Sequence, residues 1–188
     1  PIFHPKIRST ATDQQTTLAA LGRARPTHFV AFCPGAEYGP AKRWPAAHFA
    51  TLARSLGERG YRIGLFGSPK DRAVADEICA LAPGLCDNLC GATSLEQAID
   101  LLAMADLVVC NDSGLMHVAA ALDRPIVALY GSSSPGFTPP LSDQADILSL
   151  NLECSPCFKR ECPLGHLDCL NKLSPEQVLA TCLKRSAP

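Results

Sequence analysis

Short apolar runs alternate with amphipathic segments along most of the chain. Apolar runs bounded by turn residues predict strands at Phe29–Cys33, Tyr61–Phe66, Asn88–Cys90, Leu107–Cys110, Ile126–Tyr130 and Ile147–Leu150. Helical spacing predicts helices at Pro45–Leu56, Asp71–Leu81, Thr93–Met104, Gly114–Leu122 and Ser174–Lys184. Strands that read as continuous apolar runs and alternate with helices are typical of parallel sheets covered on both faces. The pattern therefore predicts an α/β fold, a Rossmann-like doubly wound parallel sheet.

The segment before the first predicted strand has a different character. Residues 1–28 are polar, contain Pro5 and Pro26, and show a helical pattern only around Gln14–Leu21. We expect 1–28 to be an interdomain linker or helix, and 29–188 to be one domain, since 188 residues suit a single domain with a short appendage. The chain begins at Pro1 rather than at Met, and we expect it to be a fragment.

Composition excludes several classes of protein. Hydrophobic residues make up 47% and charged residues 19%, which permits a buried core. The net charge is −1 and no run of Lys or Arg occurs, so we expect no nucleic-acid partner. Neither an apolar stretch of about 18 residues nor a signal-peptide pattern at Pro1–Lys6 is present. We therefore expect the ten cysteines to be reduced thiols in a cytosolic setting.

The segment Asn111–Met116 carries the most informative chemistry. A predicted strand runs directly into Asn-Asp-Ser-Gly and then into an apolar helix, which leaves the amides of Ser113, Gly114 and Leu115 at a helix N-terminus. Such a terminus favours an anion, and a phosphate would fit it. The alternative is that Asp112 or Ser113 only caps the helix. His117, about one turn into the helix, is either a core residue or a donor to phosphate or sugar.

Two other strand ends offer charged groups near the same edge of the sheet. In Pro34–Trp44, Lys42 and Arg43 could neutralise a diphosphate, or could be solvated charges on a loop that Trp44 anchors by packing. Asp71 could reach a ribose hydroxyl, or could stabilise a helix dipole. The spacing matches neither a P-loop nor G-x-G-x-x-G, so neither common phosphate motif is present.

Four cysteines crowd into sixteen residues near the C-terminus. Cys154, Cys157, Cys162 and Cys169, with His166 among them, could close a tetrahedral structural zinc site. An iron–sulfur cluster, two disulfides, or a cysteine-rich loop without any ligand are the alternatives. A metal held by four cysteines would be structural, because it would have no open coordination position.

Three separated motifs resemble one known family. The sequences PGAEYGPAKRWP at Pro34–Pro45, NDSGLMHVAAA at Asn111–Ala121 and YGSSSP at Tyr130–Pro135 resemble the ADP-heptose:lipopolysaccharide heptosyltransferases, glycosyltransferase family 9. The resemblance covers residues 29 to 185, and the cysteine-rich segment is similar to one found in many members. It implies a GT-B fold, of which this chain would be the C-terminal, nucleotide-sugar-binding half.

The resemblance also implies an activity. The family transfers heptose from ADP-heptose to the lipopolysaccharide inner core with inversion, without a cofactor for catalysis. The missing N-terminal domain would bind the lipid A–Kdo–heptose acceptor and supply an Asp as general base, so this fragment alone would be inactive. The enzyme would be cytoplasmic, associated peripherally with the cytoplasmic face of the inner membrane.

Roles carried over from the family fall on residues at the strand ends. Lys42 would hold the diphosphate and stabilise the leaving group, and Asp112 would bond heptose hydroxyls. The remaining donor-binding residues would be Ser113, Gly114, Leu115, His117, Glu37 and Asp71.

Two other functions fit parts of the sequence. A nucleotide-sugar 2-epimerase would need an acid/base pair, for which Glu37, Asp112 and His117 are the candidates. A metal-stapled interaction module would use the segment Cys154–Cys169 as its working part.

Overall fold

A single parallel sheet organises the protein. The structure, a computed structural model, describes residues 3–185; the outer ends of the predicted segments 1–28 and 29–188 lie outside the described residues. Six strands pair in parallel in the order β3-β2-β1-β4-β5-β6. Their bounds are β1 Phe29–Cys33, β2 Arg62–Leu65, β3 Cys86–Asn88, β4 Leu107–Asn111, β5 Ile126–Leu129 and β6 Ala145–Leu148. The predicted Rossmann-like, doubly wound α/β fold is confirmed.

The helices cover both faces of the sheet. They are α1 Ala11–Ala20, α2 Ala46–Gly57, α3 Arg72–Leu81, α4 Leu95–Ala103, α5 Gly114–Ala121, α6 Asp168–Asn171 and α7 Pro175–Arg185, with 3₁₀ turns at Pro40–Lys42 and Pro69–Asp71. Ser94 and Gln97 form the expected capping box at the start of α4. Ser174 and Gln177 exchange the same two hydrogen bonds before α7. These starts were predictable because a capping box depends only on local sequence.

Two predicted strands are displaced along the chain. The strand expected at Asn88–Cys90 lies two residues earlier, at Cys86–Asn88, and the last strand also begins two residues earlier than expected. Leu89 and Cys90 follow the end of β3 and are buried. They are apolar because their side chains pack in the core, although they do not belong to the strand. Helix α6 was not predicted, because four residues are too few to show a helical period.

Successive residues of the central strand belong to two different core clusters. In β1, Val30 and Phe32 belong to one core cluster and Ala31 and Cys33 to the other, on opposite faces of the sheet. A sheet buried on both faces explains the unbroken apolar run of this strand.

Helix α1 lies against the domain rather than apart from it. It packs on α4, and the Thr17 hydroxyl donates to Asp100 over 2.7 Å. The amide of Ile7 also donates to the carbonyl of Ala121. The role of 1–28 as an interdomain linker stays a prediction.

The strand order reverses between β1 and β4, which are direct neighbours with Cys33 opposite Cys110. The loops that follow them therefore leave the sheet side by side at its carboxyl edge, where open α/β sheets bind ligands. Within residues 3–185, no helix has both the length and the apolar character needed to cross a membrane.

Candidate active site at the carboxyl edge of the sheet

A cavity of about 570 Å³ opens at this edge. It is walled by the loops after β1, β2 and β4 and by the first turns of α4 and α5. Cys33, Phe66 and Val118 give it an apolar floor, whereas Ser94 and Ser113 lie among the polar groups of its wall. An apolar cleft of this size with a few polar groups suits a flat heterocycle carrying a polar tail.

The N-terminus of α5 faces this cavity with its amides uncapped. Ser113 is the N-cap residue, but its side chain makes no capping hydrogen bond. A Cβ placed on Gly114 would meet no protein atom within 4 Å, so the backbone borders open space. Ser113, Gly114 and Leu115 all line the cavity. The capping alternative is therefore wrong here, and the arrangement suits an anion.

Lys42 and Asp112 form an ion pair beside this helix terminus. Lys42 Nζ lies 2.6 Å from Asp112 Oδ2, with side chains 17% and 5% exposed. The Thr138 hydroxyl lies 3.3 Å from both carboxylate oxygens of Asp112. Lys42 is the last residue of the 3₁₀ turn Pro40–Lys42. One cation is thus held by the carboxylate that directly precedes Ser113, the N-cap residue of α5.

Arg43 and Asp71, predicted as a second cation and a ribose ligand, join each other instead. Arg43 Nη2 lies 3.8 Å from Asp71 Oδ1 and donates to the carbonyl of Ala36. The Asp71 carboxylate also accepts from the amide and hydroxyl of Ser68, at 2.9 and 2.8 Å. A Cβ on Gly35 would lie only 2.3 Å from Asp71 Cγ. Asp71 therefore connects the loop after β1 with the loop after β2, and it also lines the cavity.

Asn111 has a positioning role that sequence reasoning missed. Its side chain is fully buried; Oδ1 accepts from the amide of Trp44 over 3.1 Å, and Nδ2 donates to the carbonyl of Pro34 over 2.8 Å. One side chain at the end of β4 thus holds both ends of the loop after β1. Trp44 is buried and donates through Nε1 to Leu173, so it anchors the loop by packing, as one alternative predicted. The only available signal was an Asn directly before Asp112.

Glu37 and His117 lie at the margins of the site. Glu37 lines the cavity but is exposed and ion-paired with Lys70, whose hydrogen bond and charge lower the pKa of the Glu37 carboxyl. His117 is exposed on the first turn of α5 and is not among the residues that line the cavity. The interpretation of His117 as a core residue is wrong.

The four clustered cysteines do not form a metal centre in this structure. They surround a space of about 20 Å³, yet no three side chains of metal-binding type within residues 3–185 are arranged to hold an ion. None of the ten cysteines, all of which lie within residues 3–185, forms a disulfide, so the disulfide alternative is not realised either. Burial raises the pKa of Cys169, whereas backbone amides, that of Leu167 first, lower the pKa of Cys162. The expected zinc site thus receives no support from the geometry.

The cysteine-rich segment instead supports the loop that carries Lys42. The carbonyl of Arg160 accepts from the amide of Ala41 over 3.1 Å, and a Cβ on Gly39 would lie 2.5 Å from that same oxygen. The hydroxyl of Tyr38 donates to the carbonyl of Phe158 over 2.8 Å. Two loops distant in sequence are therefore packed backbone to backbone beside the site.

Comparison with known proteins identifies the family. The model of glycosyltransferase family 9 (heptosyltransferase) matches residues 3–168. The chain is 44% identical over 183 residues to lipopolysaccharide heptosyltransferase 2 of Salmonella typhimurium, covering 95% of the chain and 53% of the relative. It is 45% identical over 190 residues to lipooligosaccharide heptosyltransferase 2 of Haemophilus influenzae, covering 95% and 54%. The chain spans about half the length of the curated relatives it matches.

Solved structures agree with the sequence comparison. The E. coli ADP-heptose lps heptosyltransferase II superposes with a TM-score of 0.87 and 41% identity, covering 99% of this chain and 54% of that one. The E. coli heptosyltransferase WaaC with ADP superposes with a TM-score of 0.67 and 26% identity, covering 96% and 51%. The chain belongs to glycosyltransferase family 9, the heptosyltransferase family.

Proposed function

We propose that this chain is the donor-binding half of an inverting heptosyltransferase and binds ADP-heptose for transfer to the lipopolysaccharide inner core. The observation that carries the proposal is the Lys42–Asp112 ion pair beside the uncapped start of α5. It combines a cation with free backbone donors, which together suit a diphosphate. The names of the relatives above, one bound to ADP and another described as an ADP-heptose enzyme, support the choice of nucleotide.

The two parts of a nucleotide diphosphate have separate places in this arrangement. The apolar cavity of about 570 Å³ would receive the adenosine, with the first turn of α4 at its far wall. The diphosphate would lie over Ser113 and Gly114, where helix amides and the dipole favour negative charge. Lys42 would then leave Asp112 for the phosphate, and Asp112 would be free to accept from a sugar hydroxyl.

The chemistry of transfer is divided between this chain and another domain. Displacement at the anomeric carbon needs a stabilised leaving group and a base on the acceptor hydroxyl. Lys42 can supply the first by neutralising charge on the departing ADP. We assign the base to an Asp in an N-terminal domain, which would also bind the lipid A–Kdo–heptose acceptor. That acceptor would place the complete enzyme peripherally at the cytoplasmic face of the inner membrane.

The alternatives have weaker support from the geometry. An epimerase would need two acid/base groups beside the sugar, yet Glu37 pairs with Lys70 and His117 lies outside the cavity. An interaction module built on a metal would need convergent ligands, which the described residues do not offer. We therefore assign no metal to the segment Cys154–Cys169 and propose that it supports the Lys42 loop.

Titration calorimetry of the chain with ADP tests the proposal. Lys42→Met keeps the apolar stem of the side chain and removes the charge, and we expect ADP to bind about 10- to 100-fold more weakly, as for loss of a charged hydrogen bond. Lys6→Met is the matched control, because Lys6 pairs with Asp123 at the opposite end of α5. We expect it to bind ADP like the unmodified chain.

A second variant tests the helix terminus without touching the ion pair. Gly114→Ala adds a methyl group where no protein atom lies within 4 Å. The chain should therefore keep its stability, while the methyl group crowds the phosphate and weakens ADP binding. The proposal is wrong if the unmodified chain does not bind ADP, or if neither Lys42→Met nor Gly114→Ala weakens the binding.

A further inference from the structure

A second cavity, of about 280 Å³, lies beside the end of helix α1, away from the carboxyl edge of the sheet. It opens between the segment 23–26, which leads from α1 to β1, and the face of the sheet formed by β1, β2 and β3. The described residues that line it all differ from those that line the cavity at the carboxyl edge. Its volume is close to the lower end of small-molecule sites and suits a ligand of one or two rings or a short chain.

The floor of this cavity is apolar. It consists of core side chains that are at most 9% exposed: Leu18, Phe29, Leu89, Leu101 and Met104. Gly64 in β2 lies among them, and a Cβ there would lie only 2.7 Å from Phe29 Cζ, so the ring of Phe29 lies directly over the backbone of β2. The apolar part of a ligand would leave water on this floor, which favours binding.

The rim of the cavity carries three arginines and one aspartate. Arg23 Nη1 lies 2.9 Å and Arg62 Nη2 lies 3.6 Å from the same atom, Asp87 Oδ2. Arg25 has a neutral partner, since its Nη1 donates to Gln14 Oε1 over 3.2 Å. Three guanidinium groups against one carboxylate leave an excess of two positive charges on the lining. Guanidinium groups bind carboxylates and phosphates through paired hydrogen bonds.

We propose that this cavity binds a small amphiphilic anion, in which one acidic head group such as a carboxylate, phosphate or sulfonate is attached to an apolar body. The head group would bond the arginines of the rim and supply negative charge, because two of the three arginines share the single carboxylate of Asp87. The body would lie on the apolar floor, whose volume is too small for a lipid with two acyl chains. The inference goes beyond the proposed function and does not depend on it.

Fluorescence titration with anilinonaphthalene sulfonate tests the inference. This dye joins a sulfonate to two aromatic ring systems, and its emission rises in apolar surroundings. Phenylnaphthylamine has the same rings without the charge and is the matched neutral ligand. We expect the anionic dye to bind the unmodified chain saturably, and added salt to weaken its binding because partly exposed charges are screened.

Four variants separate the charge of the rim from the apolar floor. Arg25→Met should weaken binding of the anionic dye about two- to fivefold, as for loss of an exposed charge pair, and leave the neutral ligand unchanged. Asp87→Asn removes the carboxylate that competes with the ligand, so it should tighten the anionic dye by about the same factor. Ala24→Trp adds a ring system at an exposed position of the lining and should block both ligands. Arg59→Met is the control, since Arg59 is an exposed arginine that donates to a carbonyl near the end of α2.

The opposite directions expected for Arg25→Met and Asp87→Asn distinguish an anion site from a structural role of the rim. Weaker binding in both variants would show that the polar contacts only hold the segment 23–26 in place, and would overturn the inference. Unchanged binding in Ala24→Trp would place the dye elsewhere and also overturn it, as would the absence of saturable binding. If Ala24→Trp blocks both ligands but the charge variants change nothing, the cavity does not select an anion and the inference is wrong. No result depends on ADP, so the proposed function is tested separately.

Discussion

The ion pair between Lys42 and Asp112 allows a quantitative test of how the site is held before a ligand arrives. Lys42→Met and Asp112→Asn each remove one charge and keep most of the side-chain volume. At 2.6 Å, two unit charges attract by about 6 kcal/mol at an effective dielectric of about 20, and by about 2 kcal/mol in bulk water. Desolvation of both groups offsets much of this attraction.

Removing one partner leaves the other charge without compensation. For a fully buried pair the loss is about 3–5 kcal/mol, and 17% exposure of the Lys42 side chain lowers the expectation to about 2–3 kcal/mol for Lys42→Met. Asp112→Asn should lose less, because the amide can still bond Thr138 and the lysine can reach water. In the double variant neither charge remains, so its loss should fall short of the sum by about 1–2 kcal/mol.

Urea unfolding of the four proteins measures these free energies of unfolding. Losses that add to within about 0.5 kcal/mol would show that the two charges do not interact in solution, and would refute the reasoning. ADP affinity is a second measurement, and here the two single variants should differ in the direction of the effect. Asp112→Asn frees the cation, so it should bind ADP at least as tightly as the unmodified chain, whereas weakening as severe as that in Lys42→Met would contradict a neutralising role for Asp112.

Three further predictions concern other parts of the molecule. Gly35→Ala would put a Cβ 2.3 Å from a carboxylate carbon, and overpacking of this kind should lower the free energy of unfolding by about 1–3 kcal/mol, measured in urea. Cys162, whose pKa backbone amides lower, should be alkylated at lower pH than Cys79, whose pKa burial raises; mass spectrometry of iodoacetamide-treated protein checks the order, and faster modification of Cys79 would contradict it. A hydrogen bond from Arg185 lowers the pKa of Asp146 in the folded state, so the stability it contributes is present above the unfolded pKa and is lost as pH falls through the folded value. Asp146→Asn should therefore lower stability at neutral pH by about 0.5 kcal/mol, since the pair is partly exposed, and in urea titrations the difference should shrink as the pH falls below the unfolded pKa of about 3.9.

The strands and helices near the site were largely readable from the sequence. Phe29–Cys33 is a strand with the predicted bounds, because burial on both faces makes it continuously apolar. The starts of α4 and α7 followed from capping boxes, and α5 from its glycine after a strand. These signals are local, so no tertiary contact was needed to read them.

The sequence did not predict which charged side chains pair with each other. Lys42 and Arg43 are adjacent in sequence and were expected to act together, yet one pairs with Asp112 and the other with Asp71. Lys42 ends the 3₁₀ turn whereas Arg43 after it has extended backbone, and the two adjacent side chains reach different carboxylates. Only the loop geometry decides which carboxylate each one meets.

The amino-acid sequence by itself determined the alternation of elements, the parallel sheet and the start of a helix at its carboxyl edge, because hydrophobic period and glycine placement act over a few residues. The tertiary structure alone decided the Lys42–Asp112 pair and the support of the loop Pro34–Trp44 by the carbonyl of Arg160. The Lys42–Asp112 pair joins residues 70 positions apart, and the hydrogen bond from Ala41 to Arg160 joins residues 119 positions apart. They depend on the strand order that brings separate loops to one edge, and no local pattern contains that order.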